Sequence, residues 1–311
     1  MPADPWLVLA AGAVEAATGY PQRLHARLPH PVAWIAAALR GLEIRLNRGG
    51  ARTRRLAGAA SLALVAGGAA LAGHGLERLL AGPAWGFAAA AVAGSLGLAA
   101  RSLHDHVAAV DRALSAGDLP GARAAVGRIV GRDVGGLDET GVAAAALESL
   151  AESFNDGVAA PLAWFLVGGL AGLFAYKAVN TADSLIGHRD ERYRWFGWPA
   201  ARTDDLMNLL PARLAGGLLA LAGGGGWRVM FRDAGRHASP NAGWPEAAMA
   251  GALRVRLGGP VAYDGEPHHR AALGEGPPPT PADLRRGLAL YRRALALAAL
   301  ALLVGGLAWR R

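Results

Sequence analysis

Apolar residues run along this chain in six long stretches separated by arginine-rich polar segments, and the length of each run is the first guide to its structure. Crossing a bilayer takes roughly 20 mostly apolar residues. Residues 56–73, 84–100, 157–180, 206–226 and 294–309 approach that length, and the opening "MPADPWLVLAAGAVEAATGYP" is a further candidate. That opening run has no basic stretch before it and is interrupted by Glu15, which predicts a retained first membrane segment rather than a cleaved signal peptide. The runs at 56–73 and 84–100 are clean and predict a hairpin through the short "HGLERLLAGP". Pro161, Gly168, Gly169 and Gly172 predict that 157–180 is broken, which a membrane tolerates where protein or water shields the backbone. If that segment or 206–226 enters and leaves on one side, the polar stretch between them stays with the other polar segments.

The polar segments have a different period. Leu103, Val107, Val110 and Leu114 recur at helical spacing, "GDLPGARAAVGRIVG" restarts after a turn, and "LDETGVAAAALESLAESF" predicts a third helix. Residues 101–156 therefore read as a helical cap. Basic residues favour the cytoplasmic side. Residues 19–55 hold eight arginines against Glu43, and 227–293 hold ten, so both read as cytoplasmic, together with the cap. The expectation is an all-α, polytopic integral membrane protein with about four to six membrane segments. Residues 1–311 form one membrane-embedded domain, 101–156 its cap insert and 227–293 a polar cytoplasmic region.

Composition narrows the partners. Hydrophobic residues make up 53% and charged residues 18%, and 44 glycines suit close helix packing in a membrane. There is no cysteine, which excludes disulfides, thiolate nucleophiles and zinc thiolates. Lys177 is the only lysine, so the formal +8 charge is almost all guanidinium, a planar fork suited to phosphate and carboxylate. No basic run with interleaved aromatics is present, so nucleic acid is not an expected partner. The lipid bilayer and small phosphorylated anions are. There is no Walker loop, HExxH or GxSxG.

Polar side chains gather beside the apolar runs in several clusters. Glu148, Glu152 and Asp156 lie four apart on one helical face, with Asn155 adjacent, and could hold a magnesium ion; the same spacing also suits a solvated cap face. Lys177, Asn180, Thr181 and Ser184 share a face with Asp183 beside them, followed by His188, Arg189, Asp190, Glu191 and Arg192. So many donors and acceptors beside a membrane segment point to a site. Asp204, Asp205 and Asn208 fall at helical spacing between Arg202 and Arg213, where they either complement a helix start or complete a metal and phosphate site. His237, Ser239 and Asn241 precede a helix that Pro245 can begin, a place where an anion can dock. His268 and His269 read as decoration on a loop.

Three blocks, "RDVGGLDETGVAAAALESLAESFNDGVAAPLAWF", "YKAVNTADSLIGHRDERYRWFGWPAARTDDLMNLLPARL" and "RDAGRHASPNAGWPEAAMAGALRVRLGGPVAYDG", resemble the signature blocks of the CobD/CbiB family in order and spacing. The N-terminal "GYPQRLHARLPHPVAWIAAALRGLE" is similar to its first block. The resemblance implies an integral membrane ligase of the cytoplasmic (inner) membrane, an adenosylcobinamide-phosphate synthase. Its reaction joins the free propionate of the corrinoid adenosylcobyric acid to aminopropanol phosphate or ethanolamine phosphate, with ATP and Mg2+. Activation through an acyl phosphate asks for a metal ion and cationic clamps. On that chemistry Asp156, Lys177, Asp183 and Asp205 are expected as catalytic residues. Glu148, Glu152, Asp156 and Asp204 are expected at the metal. Asn180, Ser184, Arg189, Arg192, Arg202, Asn208, His237, Ser239 and Asn241 are expected around phosphate and substrate. Other corrinoid-pathway enzymes are expected partners. Gly-broken spans with polar residues also describe a transporter, and docking surfaces a non-catalytic scaffold.

Overall fold

The computed structural model describes residues 3–20, 27, 29–263 and 265–309. Almost all of the regular structure is helix, and the chain is an all-α polytopic membrane protein. By length and apolar composition Ala51–Leu80, Gly86–Ser115, Glu139–Ile186 and Pro281–Trp309 can each cross a membrane. Trp198–Met207 and Leu209–Ala222 add a fifth span if the pair counts as one. The chain divides into two compact units, 1–99 with 160–208 and 302–311, and 100–159 with 209–301.

The first unit contains α1 (Pro5–Thr18), α2 (Pro31–Leu46), α3 (Ala51–Leu80), α4 (Gly86–Ser95) and α8 (Ala160–Ile186). Asp4 caps α1 by accepting from the Trp6 N–H at 2.9 Å, Pro5 presets its first turn, and Gly19 at φ 56° ends it. The helix is therefore 14 residues long, about 21 Å at 1.5 Å per residue. The expected first membrane segment is thus a shorter apolar helix than a full span requires. α3 packs along α8, and α1 packs on α4. Two clusters form the core: Val8, Ala11, Phe165, Leu170 and Leu173 in one, and Leu39, Leu62, Val179, Ile186 and Phe196 in the other.

The expected break in 157–180 falls at Gly169, whose φ of 62° lies in the left-handed region. The N–H of Leu170, freed by the break, donates to Glu77 Oε1 at 2.6 Å. That φ is strained for a side chain with a Cβ, and a Cβ there would also displace the Glu77 oxygen, 1.9 Å away, so the break favours glycine. Glu77 belongs to the stretch read as a hairpin turn. α3 in fact continues to Leu80, because the helix supplies the acceptor that the broken partner lacks.

The second unit contains α5 (Ala100–Ser115), α6 (Leu119–Val126), α7 (Glu139–Phe154), α10 (Trp227–Asp233) and α11 (Gly243–Leu253). The expected apolar stripe of α5 is buried: Leu103, Val107, Val110 and Leu114 all face the interior. Asp118 caps α6 and Asp138 caps α7 through the N–H groups of Gly121 and Gly141. α7 runs into a single π turn at Asn155–Ala159, a distortion that recurs at functional sites. α9 (Trp198–Ala222) and α12 (Pro281–Trp309) contribute to both units. His268 and His269, expected on a loop, lie on strand β2 (Glu266–His269), which pairs antiparallel with β1 (Pro260–Tyr263). The Asp-Gly dipeptide at 264–265 is a hairpin-turn signal in the sequence.

Candidate functional site

In the first unit the clusters around Lys177 and Asp204 merge into one network. Lys177 Nζ donates to Asn180 Oδ1 at 3.3 Å, and Asn180 Nδ2 reaches Asp204 Oδ1 at 3.4 Å. Asn208 Nδ2 donates to Asp204 Oδ2 at 2.9 Å, and the Tyr176 hydroxyl donates to Asn208 Oδ1 at 3.1 Å. Tyr176, Asn180, Asp204 and Asn208 are buried, while Lys177 is half-buried and holds the charge at the edge. Helical spacing places 177 and 180 on one face of α8, and 204 and 208 on one face of α9. The two helices then meet through amide donors that satisfy a buried carboxylate.

Neighbouring candidates divide between this network and other duties. Ser184 and Thr181 turn their hydroxyls back to the Asn180 and Lys177 carbonyls. Asp205 accepts from Arg202 at 3.2 Å and lies within electrostatic reach of Arg189. Asp183 sits against the turn at Gly187 that ends α8, where an added Cβ would lie 2.0 Å from its Oδ1. Arg192 goes elsewhere. It makes a two-pronged pair with Glu43, at 3.0 and 2.7 Å, beside a cavity of about 600 Å³ that Asn47, Arg48 and Arg54 also line. Those hydrogen bonds hold the Glu43 carboxyl below its usual range.

The second unit gathers a different set. Glu148 Oε2 accepts from Arg132 and, at 2.9 Å, from Arg270 Nη1, and its Oε1 accepts from the Gly258 N–H at 2.7 Å. Arg270 Nη2 also reaches Glu246 Oε2 at 3.3 Å and lies 2.8 Å from His237 Nε2. Burial, and then the Glu148 charge, pushes the Glu246 carboxyl well above its usual range. Burial, and then the Arg270 charge, pushes the His237 imidazole down. Ser239 donates its N–H to His237 Nδ1 at 3.0 Å, and its hydroxyl accepts from the N–H groups of Asn241 and Ala242 at 3.2 Å. Asn155 Nδ2 donates to Asp156 Oδ1 at 2.7 Å. Glu152, one turn beyond Glu148, is exposed.

Sequence reasoning singled out Glu148, Glu152, Asp156 and His237 but passed over their partners Arg132, Glu246 and Arg270. Glu246 had a signal, since it follows Pro245 in the first turn of a helix already marked as an anion site. Arg270 had none beyond its place next to the two histidines. Nor was Tyr176 expected, being apolar in pattern until its hydroxyl is located.

The residues were also expected to hold magnesium. Among the described residues no three of His, Asp and Glu come together as metal ligands. Glu148 is engaged by two guanidiniums, and both oxygens of Asp204 accept from amides. As arranged, Glu148 and Asp204 are each held by other side chains and do not meet two further carboxylates as a metal site would require.

Asp233, next in sequence to Arg232, is fully buried and accepts from Arg232 at 2.6 and 2.7 Å, from Arg236 and from the Gly274 N–H. Arg232 hydrogen bonding holds its carboxyl well below the usual range. A depressed pKa contributes stability that is full above the unfolded value, about 3.9, and is lost as pH falls below it. Thermal melts in detergent should therefore fall more steeply below about pH 4 for wild type than for Asp233→Asn. Parallel melting curves across that range would remove the assignment.

Comparison with known proteins follows the same lines. The family described as CobD/Cbib protein matches residues 8–291. A cobalamin biosynthesis protein CobD of Rhodobacter capsulatus is 53% identical over 297 residues, covering 93% of each chain. One of Sinorhizobium sp is 49% identical over 273 residues, 83% of this chain and 84% of the relative. One of Geobacter metallireducens is 46% identical over 269 residues, 84% of each. No solved structure matches.

Proposed function

Because the chain belongs to the CobD/CbiB family of cobalamin biosynthesis, we propose that it is the membrane ligase of that pathway. It joins adenosylcobyric acid to an amino-alcohol phosphate, aminopropanol phosphate or ethanolamine phosphate, at the expense of ATP. Its place is the cytoplasmic membrane, with the arginine-rich segments inside. Other enzymes acting on corrinoids are its natural partners there.

The observation that carries this reading is the Lys177–Asn180–Asp204–Asn208 network, in which the only lysine of the chain stands half-buried beside a buried carboxylate held by amides. A carboxylate and an amine do not condense unaided. The substrate carboxylate oxygen takes the terminal phosphoryl group of the nucleotide, breaking its bond to the leaving diphosphate. The amine nitrogen then attacks the acyl carbon and expels phosphate, and its proton passes to a carboxylate. Lys177 is suited to neutralise charge on the transferring group, with Arg189 and Arg202 supplementing it. In this reading Asn180, Ser184 and Asn208 orient the substrates, and Asp183 or Asp205, on the same two helices, takes the proton.

Detergent-solubilised protein given ATP, magnesium, adenosylcobyric acid and the amino-alcohol phosphate should release ADP and form adenosylcobinamide phosphate, detected by mass. Lys177→Met should lower turnover about 100-fold or more while the protein still purifies folded. Corrinoid uptake by sealed vesicles with no product formed in detergent would favour a transporter instead.

A further inference from the structure

Beside Glu43 the first unit holds a cavity of about 600 Å³, within the ~300–1,000 Å³ range of small-molecule sites, that no step of the proposed ligation uses. Its wall comes from three places: the end of α2 with Asn47 and Arg48 beyond it, Arg54 in the first turn of α3, and Glu191 and Arg192 after α8. The buried Glu43 has both carboxylate oxygens engaged, by the Arg192 fork and by Asn47 Nδ2, which donates to Oε1 at 2.8 Å. Arg54 is held by neutral acceptors instead. Its Nε donates to Asn47 Oδ1 at 2.6 Å, and its Nη2 to the carbonyls of Glu191, at 3.1 Å, and of Arg192. Arg48 is exposed and reaches a carbonyl as well, that of Ile44 at 3.4 Å. Three guanidiniums thus line the cavity against two carboxylates, one buried and already paired, the other exposed. The bonds to Asn47 and the carbonyls fix the direction of Arg54 without neutralising it, and a guanidinium so held matches phosphate oxygens as a fork.

The surroundings are those of a bilayer surface. Arg54 stands at the start of α3, one of the helices able to cross a membrane. Ile44 lines the cavity although it is 63% exposed, and Leu46 and Leu56 on the same two helices are exposed as well. Indole rings mark this level: the Arg55 guanidinium lies 4.4 Å from the Trp195 ring centroid and 5.1 Å from that of Trp198, and such rings gather where headgroups meet hydrocarbon. Basic pockets at the ends of membrane helices take anionic headgroups. A free phosphate would leave Ile44 in water, whereas a phosphate carrying acyl chains covers it.

We infer that this cavity binds the phosphate of an anionic phospholipid, with Arg48 and Arg54 donating to its oxygens and Ile44 lying against its acyl chains. Asn47 and Glu43 are positioning residues: Asn47 aims Arg54, and Glu43 holds Asn47 and Arg192. The site fastens the turn between α2 and α3 to the membrane surface and is independent of the ligase reading.

Purified full-length protein in an uncharged detergent is titrated with dioleoyl phosphatidylglycerol, dioleoyl phosphatidylcholine and inorganic phosphate, and bound lipid is counted by native mass spectrometry. Phosphatidylglycerol should bind about tenfold more tightly than phosphatidylcholine, and inorganic phosphate at the same concentration should not displace it. Arg48→Gln alters an exposed side chain and should weaken phosphatidylglycerol about tenfold, the loss of one charge-assisted hydrogen bond. Arg54→Gln should do the same, its melting temperature showing that it is folded. Arg52→Gln, exposed and outside the cavity wall, removes the same charge and should change binding less than about twofold. Equal losses in Arg52→Gln and Arg48→Gln would mean diffuse attraction to a basic surface and would overturn the site. So would wild-type binding by folded Arg48→Gln, or phosphatidylcholine bound as tightly as phosphatidylglycerol. Displacement of the lipid by inorganic phosphate would overturn the lipid assignment and leave a pocket for free anions.

Discussion

Glu148→Ala is expected to destabilise the protein by about 3–5 kcal/mol, the cost of removing one partner from a buried ion network. The carboxylate is 1% exposed and serves three donors: Arg132, Arg270 and the Gly258 N–H. Alanine leaves two guanidiniums without their shared counter-ion and the half-buried Gly258 N–H without its acceptor. The Gly258 bond also fastens the segment that leads into the β-hairpin and Arg270, so its loss should loosen that segment first. Thermal unfolding in detergent measures the effect, and hydrogen exchange at residues 257–274 locates it. A melting temperature within about 2 °C of wild type, below 1 kcal/mol for a chain of this size, would show that the network holds nothing. Glu148→Gln separates the contributions, since the amide oxygen can still accept from Gly258 while the charge is gone.

The second large effect is steric. α3 approaches its neighbours at two glycines: a Cβ on Gly58 would lie 1.9 Å from the Phe196 carbonyl oxygen, and one on Gly73 would lie 2.5 Å from that of Leu170. Both obstacles are backbone, which cannot swing aside as a side chain can. Gly58→Ala should therefore push α3 away from the segment after α8 and cost about 1–3 kcal/mol, the range for overpacking, or more. The control lies on the same helix. Gly67 has nothing within 4 Å, so Gly67→Ala meets no obstacle and gains up to about 1 kcal/mol of helix propensity. Size-exclusion profiles and melting temperatures of the two variants should diverge in opposite directions. If Gly58→Ala matches Gly67→Ala, close packing at that crossing is not what holds the helix in place.

The candidate site was legible in part, and the pattern of success has a physical basis. Residues on one helix face follow from spacing alone, so Lys177 with Asn180, Asp204 with Asn208, and Glu148 with Glu152 could be grouped before any fold was known. What joins these groups could not. Glu148 meets Arg270 across 122 positions and the Gly258 N–H across 110, and Arg192 reaches Glu43 across 149. Nothing local records such pairings, so Arg192, expected among the phosphate clamps, could not be separated from Arg202 by sequence. Glu77 illustrates the same limit. Its role as acceptor for Leu170 exists only because Gly169 breaks α8 opposite it.

By itself the sequence determined the helical class, the runs able to cross a membrane, the stripe that buries α5, the interval in which α8 must break and the family. These depend on period, run length and backbone chemistry, which are properties of neighbouring residues. The tertiary structure alone decided that α1 stops short, which glycine carries the break, and whether each carboxylate faces an arginine, an amide or water. Charges are assigned their roles by whatever lies across the gap, and that partner comes from a distant part of the chain.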